Sequence, residues 1–300
     1  MRAARYHHFG DAGVLRIEEA PDPHAGPGHV RIAVRATSVN PADLKFRAGL
    51  LQAYQPTTFP AIPGMDSAGV VDEIGAGVTG VAVGDRVLGL TATGGAAGHA
   101  VLKAWAPLPQ RWSFAQGAAA GIAGHTALLA LGALGALDGR TFLVEGAAGG
   151  VGTAAVEMAA GRGATVIGTA SERNHEFLRS LGATPTTYGA GLPERVAALA
   201  PDGVHAVLDT VGSGSLDDLI VIAGDAAAVV TVADYTGPAR GVRLVGGEKN
   251  MQENLAELAA AGERGTFTPH VSVELPLEEI VQAHQQVAGG HTRGKVVLTL

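Results

Sequence analysis

The sequence predicts an α/β protein with a doubly wound parallel sheet and a compact β domain. Up to about residue 110, short apolar runs such as 30–35 lie between Gly and Pro residues, as expected of a compact β domain. From about residue 116, strands and helices alternate, with apolar strands at 141–144 and 165–167 on either side of a helix at 150–161. Repeated βα units with apolar strands are typical of parallel sheets.

The remaining elements continue this alternation. They are a helix at 173–181 ended by Gly182, strands at 206–208 and 228–232, a helix at 277–287 and a terminal strand at 295–300. From the pattern alone, the last segment can complete either domain.

Composition excludes several classes of protein. The 300 residues include no cysteine, which removes disulfides, thiolate nucleophiles and cysteine-based metal sites. The net charge is −7 and the basic residues form no block, so nucleic-acid binding is not expected. Only 4% of residues are aromatic, so Ala, Val, Leu and Ile must build the core.

No membrane contact is expected either. The first residues carry charges without a following apolar run, so no secretory signal is predicted and a cytoplasmic location is expected. Residues 117–137 are apolar and long enough to span a bilayer. They are rich in Ala and Gly and no second span follows, so we expect a buried helix.

A glycine-rich turn, GAAGGVG at 146–152, directly follows the strand at 141–144 and opens the next helix. In that context Gly146 permits the tight turn, Gly149 and Gly150 let backbone N–H groups approach a diphosphate, and Gly152 permits close packing of helix on strand. The helix N-terminus adds positive partial charge at the same point. The turn predicts a dinucleotide cofactor; the alternative is an ordinary βα turn without a ligand.

The end of the second strand of this domain indicates which dinucleotide binds. An acidic residue there would bind a free ribose 2′-hydroxyl. The strand end is small and neutral, and Ser171 with Arg173 could hold a 2′-phosphate, which favours NADPH. If the strand end lies one residue further along, Glu172 occupies the acidic position and favours NADH instead. The alternative is that Glu172 is a solvated residue in the first turn of the next helix.

Five local patterns, in order along the chain, resemble the zinc-independent quinone oxidoreductase branch of the medium-chain dehydrogenase/reductase superfamily. They are SVNPADLKFRAG at 38–49, PGMDSAGVV at 63–71, GDRV at 84–87, GAAGGVG at 146–152 and RGKVVL at 293–298. The resemblance implies a GroES-like catalytic domain at 1–116, a Rossmann NADP-binding domain at 117–264, and a C-terminal segment at 265–300 that completes the catalytic domain. It also implies an active site in the cleft and a homodimer.

The resemblance implies site residues one by one. Asn40 and Lys45 would be catalytic, Asn40 near the nicotinamide and Lys45 stabilising enolate charge. Lys45 stands where many quinone reductases have tyrosine, a pattern similar to some enone and alkenal reductases. Cofactor-binding positions implied by the family, beyond Gly146, Gly149, Gly150 and Gly152, are Thr126, Val151, Ser171, Arg173, Tyr188 and Lys295.

Several of these residues also have purely structural interpretations. Asn40 could stabilise a turn, Thr126 could cap helix backbone, Tyr188 could pack its ring, and Lys45 and Lys295 could be solvated. Asp43 and Arg47 belong to the same motif, and their four-residue spacing suits an ion pair on one helical turn.

No metal site is predicted. Zinc-containing members of the superfamily use cysteine and histidine ligands, whereas this chain lacks cysteine and has Pro-Gly-Met-Asp at 63–66, where a histidine-containing motif would fall. The expected reaction is metal-free hydride transfer from NADPH to a quinone or an α,β-unsaturated ketone. The alternatives are a zinc-free enoyl-thioester reductase and a non-catalytic NADPH-binding protein with a structural or redox-sensing role.

Overall fold

The computed structural model describes residues 1–53 and 55–300. The chain divides into two compact units, residues 1–122 with 251–300, and residues 123–250. The sequence placed these boundaries at 116 and 264. The second boundary differs because the helix Met251–Arg264 groups with the first unit, where Gln252 forms two hydrogen bonds with the backbone of Trp105 in the strand His99–Pro107.

The first unit is built mainly from antiparallel strands. Its strands are β1 (Arg2–Arg5), β2 (Arg16–Glu19), β3 (Val30–Val39), β4 (Asp66–Ile74), β5 (Arg86–Thr91), β6 (His99–Pro107), β13 (Val271–Pro276) and β14 (Lys295–Thr299). Strands β1 and β2 pair with each other, and the others form a six-stranded sheet in the order β13-β14-β3-β4-β5-β6. An additional pairing of β3 with β6 closes β3 to β6 into a ring.

The C-terminal strand β14 lies beside β3 in this sheet, antiparallel, with Val296 opposite Val39. The last residues of the chain therefore meet the segment that leads into helix α1 (Pro41–Arg47). The unit also contains helices α7 (Met251–Arg264) and α8 (Ile280–Ala288). The pairing of β14 with β3 brings residues 255 positions apart into direct contact.

The second unit contains a six-stranded parallel sheet in the order β12-β11-β10-β7-β8-β9. Its strands are β7 (Thr141–Glu145), β8 (Thr165–Thr169), β9 (Ala183–Thr186), β10 (Ala206–Asp209), β11 (Val229–Thr231) and β12 (Arg243–Leu244). Helices α3 (Gly150–Gly161), α4 (His175–Ser180), α5 (Leu192–Leu199) and α6 (Leu216–Ala223) connect them. This order confirms the predicted doubly wound fold.

The sheet order reverses between β7 and β10, which are hydrogen-bonded neighbours. In doubly wound sheets, ligands bind outside the carboxyl ends of the strands at such a reversal. The core under it is aliphatic, with Leu143, Ile167 and Val207 almost completely buried. The predicted turn at 146–152 leaves β7 at this point.

The apolar segment at 117–137 falls mostly in helix α2 (Phe114–Leu134). By length and composition alone this helix could cross a membrane. Of its most apolar stretch, 67% is buried within the protein, as in the core helix of a globular domain. The helix prediction is confirmed.

Candidate cofactor and active-site residues

The glycine-rich turn starts at Gly146, whose φ of +74° lies in the left-handed region that favours glycine. A Cβ there would lie 2.4 Å from a methyl group of Val211 and 2.6 Å from Oγ1 of Thr210. The Gly146 amide donates to Oγ1 of Thr169 at 3.1 Å, which ties the turn to the end of β8. Both conformation and space therefore require glycine at this position.

Helix α3 begins at Gly150, with Gly149 extended before it. The amides of Gly150, Val151 and Gly152 belong to its first turn, whose N–H groups have no acceptor within a helix. A Cβ on Gly152 would lie 2.2 Å from the Gly146 carbonyl oxygen, so only glycine lets the helix approach the turn this closely. The arrangement fits a diphosphate, which would accept from these amides at the positive end of the helix.

The predicted adenosine end lies at the carboxyl ends of β8 and β9. These strands run parallel, with Thr169 opposite Thr186. Ser171 and Arg173 follow β8, and Tyr188 follows β9 with 55% of its surface exposed. Glu172 is exposed in the short 3-10 turn that Ser171 opens. The topology thus places the three predicted residues at one edge of the sheet.

The loop that carries Tyr188 is held by a residue that the sequence analysis did not identify. The guanidinium of Arg195, in helix α5, donates to four successive carbonyl oxygens, those of residues 187 to 190, over 2.7–3.4 Å. Glycines with positive φ at 189 and 191 let the backbone turn its carbonyls toward this side chain. An arginine seven residues beyond a predicted ligand carries no local motif, so sequence offered no signal for it.

A buried pair of carboxylates lies where the sheet order reverses. Glu145 ends β7 and Asp209 ends β10, in direct register. Glu145 accepts from Oγ of Ser215 at 2.6 Å, and Asp209 accepts from Oγ1 of Thr231 at 2.7 Å. Burial, with the nearby Asp209 charge, raises the pKa of Glu145. Acidic residues ending apolar strands were visible in the sequence but were not singled out.

Thr126 lies on helix α2, half-buried, in the second unit. The preceding residue, His125, is 2% exposed and its Nε2 is 3.0 Å from the carbonyl oxygen of Gly247. That hydrogen bond links the helix to the segment before α7. The helix is therefore anchored within its own unit at the residue next to Thr126.

In the first unit, Asn40 is the centre of a buried polar network. Its Oδ1 accepts from Nζ of Lys295 at 2.5 Å, and its Nδ2 lies 3.3 Å from Oδ1 of Asp66. Asn40 is 3% exposed, Lys295 6% and Asp66 fully buried. Burial lowers the pKa of the Lys295 ammonium. Lys295, predicted as a cofactor ligand or a solvated residue, is buried against Asn40. Asp66 is recognisable in the sequence only as part of the motif at 63–71.

Asp43 and Arg47 have separate partners rather than each other. Asp43 accepts from the backbone amides of Asn40 at 2.9 Å and Gly64 at 3.0 Å, and burial raises its pKa to about 6. Arg47 donates to Nδ1 of His284 at 2.8 Å. The expectation of an ion pair between them is wrong, because Asp43 is taken up by backbone amides and Arg47 by His284. Asp43 instead ties helix α1 to the Pro-Gly segment.

Lys45 lies in the last turn of helix α1, half-buried. Among residues 1–53 and 55–300, no group of three or more His, Asp or Glu side chains is placed to hold a metal ion.

Two family models match the chain. Residues 26–126 match the alcohol dehydrogenase GroES-like domain, and residues 181–298 match a model described as zinc-binding dehydrogenase. Rat quinone oxidoreductase is 32% identical over 99% of this chain and 96% of its own length. A pikromycin polyketide synthase component of Streptomyces venezuelae is 35% identical over 97% of this chain, which spans only 8% of that protein.

Solved structures give the same result. The quinone oxidoreductase of Coxiella burnetii superposes with a TM-score of 0.86 at 30% identity, covering 100% of this chain and 99% of the other. A mycobacterial protein solved in complex with NADPH gives a TM-score of 0.86 at 28% identity, with both chains covered completely. With the glycine-rich turn and the order of its parallel sheet, the chain belongs to the zinc-independent quinone oxidoreductase branch of the medium-chain dehydrogenase/reductase superfamily, whose members are oxidoreductases that use a nicotinamide cofactor.

Proposed function

We propose that this protein is an NADPH-dependent reductase of quinones or α,β-unsaturated ketones that works without a metal ion. The turn from Gly146 to Gly152 carries the proposal, because both end glycines are sterically required and the helix that begins at Gly150 presents backbone amides suited to a diphosphate. Its position, where the sheet order reverses, is the usual ligand site of this fold. Similarity to rat quinone oxidoreductase supports the acceptor class.

The residues at the predicted adenosine end are the reason for proposing NADPH rather than NADH as the cofactor. Ser171, Arg173 and Tyr188 follow the ends of two adjacent strands, and a hydroxyl, a guanidinium and a phenol together suit a phosphate better than a free hydroxyl. The NADPH complex of the mycobacterial relative supports the same choice. Glu172 is exposed on the turn beside them, which is compatible with a solvated side chain.

When bound, NADPH supplies the hydride. The protein orients the cofactor and the acceptor and stabilises the charge that develops on the acceptor. Asn40 is the proposed contact to the reacting end of the cofactor, with its amide held in one orientation by hydrogen bonds. Lys45 is proposed to place an ammonium near the acceptor oxygen and to stabilise the enolate or hydroquinone anion formed there. Since that anion is delocalised, water or Lys45 can supply the proton.

The test is turnover. We expect the purified protein to oxidise NADPH in the presence of para-benzoquinone, phenanthrenequinone or a short enone. The loss of reduced-nicotinamide absorbance measures the rate. NADH should be used with a kcat/KM at least about tenfold lower, a difference of about 1.4 kcal/mol. Tight NADPH binding without oxidation by any acceptor would instead select a non-catalytic binding protein.

An enoyl-thioester reductase is the second candidate. The 35% identity to part of a polyketide synthase component favours it, because polyketide chains are carried as thioesters. An enone and an enoyl thioester both accept hydride at the β-carbon and both give an enolate, so the proposed roles of Asn40 and Lys45 serve either. Comparing kcat/KM for crotonyl-CoA with that for a short enone separates them.

We also propose a cytoplasmic homodimer with a small-molecule substrate. The assembly follows from the family resemblance, and light scattering of the purified protein tests it: a dimer should have twice the mass of the 30.1 kDa chain.

A further inference from the structure

The side-chain amide of Asn40 is held from both sides by ionisable groups. Nζ of Lys295 donates to its Oδ1 at 2.5 Å. Its Nδ2 lies 3.3 Å from Oδ1 of Asp66 and 3.4 Å from Oγ of Ser38. All four side chains are at most 6% exposed, so water does not compete for these contacts.

The chemistry of the two partners allows one orientation of the amide. An ammonium group has donors and no acceptor, and an ionised carboxylate has acceptors and no donor. Rotating the Asn40 amide by half a turn would place its NH₂ against Lys295 and its oxygen against Asp66. Both hydrogen bonds would be lost in a buried site, where water cannot replace them and unsatisfied polar groups are costly.

Both partners are themselves fixed. Asp66 accepts from Oγ of Ser38 at 2.6 Å and from the backbone amide of Ile122 at 2.8 Å. Helix α2 can approach it because residue 121 is glycine; a Cβ there would lie 2.5 Å from that of Asp66. Lys295 also donates to the Val39 carbonyl at 3.3 Å, where β14 lies beside β3.

We infer that Lys295 and Asp66 are positioning residues that act through Asn40: they hold its amide in the one orientation that the reaction uses. This inference rests on the proposed function, which assigns Asn40 to the reacting end of the cofactor. It gives Lys295 a role other than the cofactor ligand predicted from the family resemblance. The ammonium also polarises the Asn40 carbonyl, which makes the amide N–H a stronger donor.

The test is a double-mutant cycle on the rate of hydride transfer, measured in single turnovers with NADPH and a quinone. Lys295→Met removes the donor with little change in length, and we expect it to slow transfer about tenfold or more, as misplacement of a reacting group does. Lys295→Arg keeps a donor and should recover most of the rate. NADPH affinity, measured by fluorescence titration, should change less than about twofold in both.

The cycle separates positioning from other roles. If Lys295 acts through Asn40, the double variant Asn40→Ala/Lys295→Met should be no slower than Asn40→Ala alone. Lys103→Met, another first-unit lysine, which lies on β6, is the matched control and should leave the rate unchanged. Multiplicative losses in the double variant would overturn the inference. A large loss of NADPH affinity in Lys295→Met would also overturn it, because Lys295 would then be a direct cofactor ligand.

Asp66→Asn provides the second arm if Lys295→Met does not fold. It should slow hydride transfer in the wild-type background but not in Asn40→Ala, and equal losses in both backgrounds would contradict the inference. If the wild-type protein fails to oxidise NADPH with every quinone and enone tested, the proposed function and the inference are both overturned. A wild-type protein that turns over, with independent effects of the two substitutions, overturns the inference alone.

Discussion

The imidazole of His284 shows how one contact sets a pH limit on stability. Arg47 can only donate, so the Nδ1 atom that faces it at 2.8 Å must be the unprotonated nitrogen. Burial, with the Arg47 charge, lowers the pKa of His284 to about 3. The unfolded chain binds a proton near pH 6.5 and the folded chain does not, so stability present above pH 6.5 is lost as the pH falls.

We predict that His284→Asn removes this acid sensitivity, because an asparagine oxygen can accept from Arg47 without titrating. Between pH 7 and pH 4.5 the wild-type protein should lose about 2–3 kcal/mol more unfolding free energy than the variant. Urea denaturation at a series of pH values measures it. Parallel losses in the two proteins would show that another group titrates.

The glycine turn gives the second prediction. Gly152→Ala would place a methyl group 2.2 Å from the Gly146 carbonyl, so the turn must shift. We expect a loss of about 1–3 kcal/mol of stability and at least about tenfold weaker NADPH binding. The measurements are thermal melting and fluorescence titration.

Gly161→Ala, at the other end of the same helix, is the matched control. A Cβ there meets nothing within 4 Å, so the variant should bind NADPH normally and gain up to about 1 kcal/mol of helix stability. If both variants bind NADPH equally well, the turn is not the cofactor site.

At this scale the sequence predicted the residues whose role is local and missed those whose partners are distant. Gly146 and Gly152 are recognisable because a turn between a strand and a helix needs glycine at fixed spacings. The bonds from Lys295 to Asn40 and from Arg47 to His284 join residues 255 and 237 positions apart. Only the pairing of β14 with β3 and the packing of α8 make them visible.

Among the elements, the loop between β9 and α5 depends on one side chain. Arg195 holds four successive carbonyls of that loop, and Tyr188 is carried on it. We predict that Arg195→Met weakens NADPH binding about three- to tenfold and NADH binding much less, because the loop would no longer hold Tyr188 beside the 2′-phosphate. Fluorescence titration with both cofactors measures the ratio.

The control for this prediction is Arg179→Met, on helix α4 of the same unit, where the arginine pairs on the surface with Glu176. It should change neither affinity. Equal weakening of NADPH and NADH by Arg195→Met would show a general loss of structure rather than a role at the adenosine end.

The elements themselves were largely predictable. Helix α3 has the predicted bounds, 150–161, because a strand, a glycine turn and a small-residue helix follow one another without a break. Strand β4 is longer than the short run seen in the sequence, because Ser67 and Gly69 interrupt its apolar pattern yet lie buried between β3 and β5. Burial on both faces removes the alternation that strand prediction uses.

At the scale of the whole molecule, cofactor binding should raise the free energy of unfolding. The chain matches the quinone oxidoreductases of rat and Coxiella burnetii over 96% and 99% of their lengths. A ligand at a hundred times its Kd stabilises the folded state by about 2.7 kcal/mol. We therefore predict that saturating NADPH raises the melting temperature by several degrees, with a smaller rise for NADH at the same concentration. No shift, or an equal shift in Gly152→Ala, would contradict a site at the turn.

The most direct test of the account is a crystal structure of the protein grown with NADPH. We predict the diphosphate against the backbone amides at residues 149–152, with the 2′-phosphate beside Ser171, Arg173 and Tyr188. A dinucleotide bound elsewhere on the protein, or a turn left empty in crystals saturated with NADPH, would contradict the proposal that this chain is an NADPH-dependent reductase.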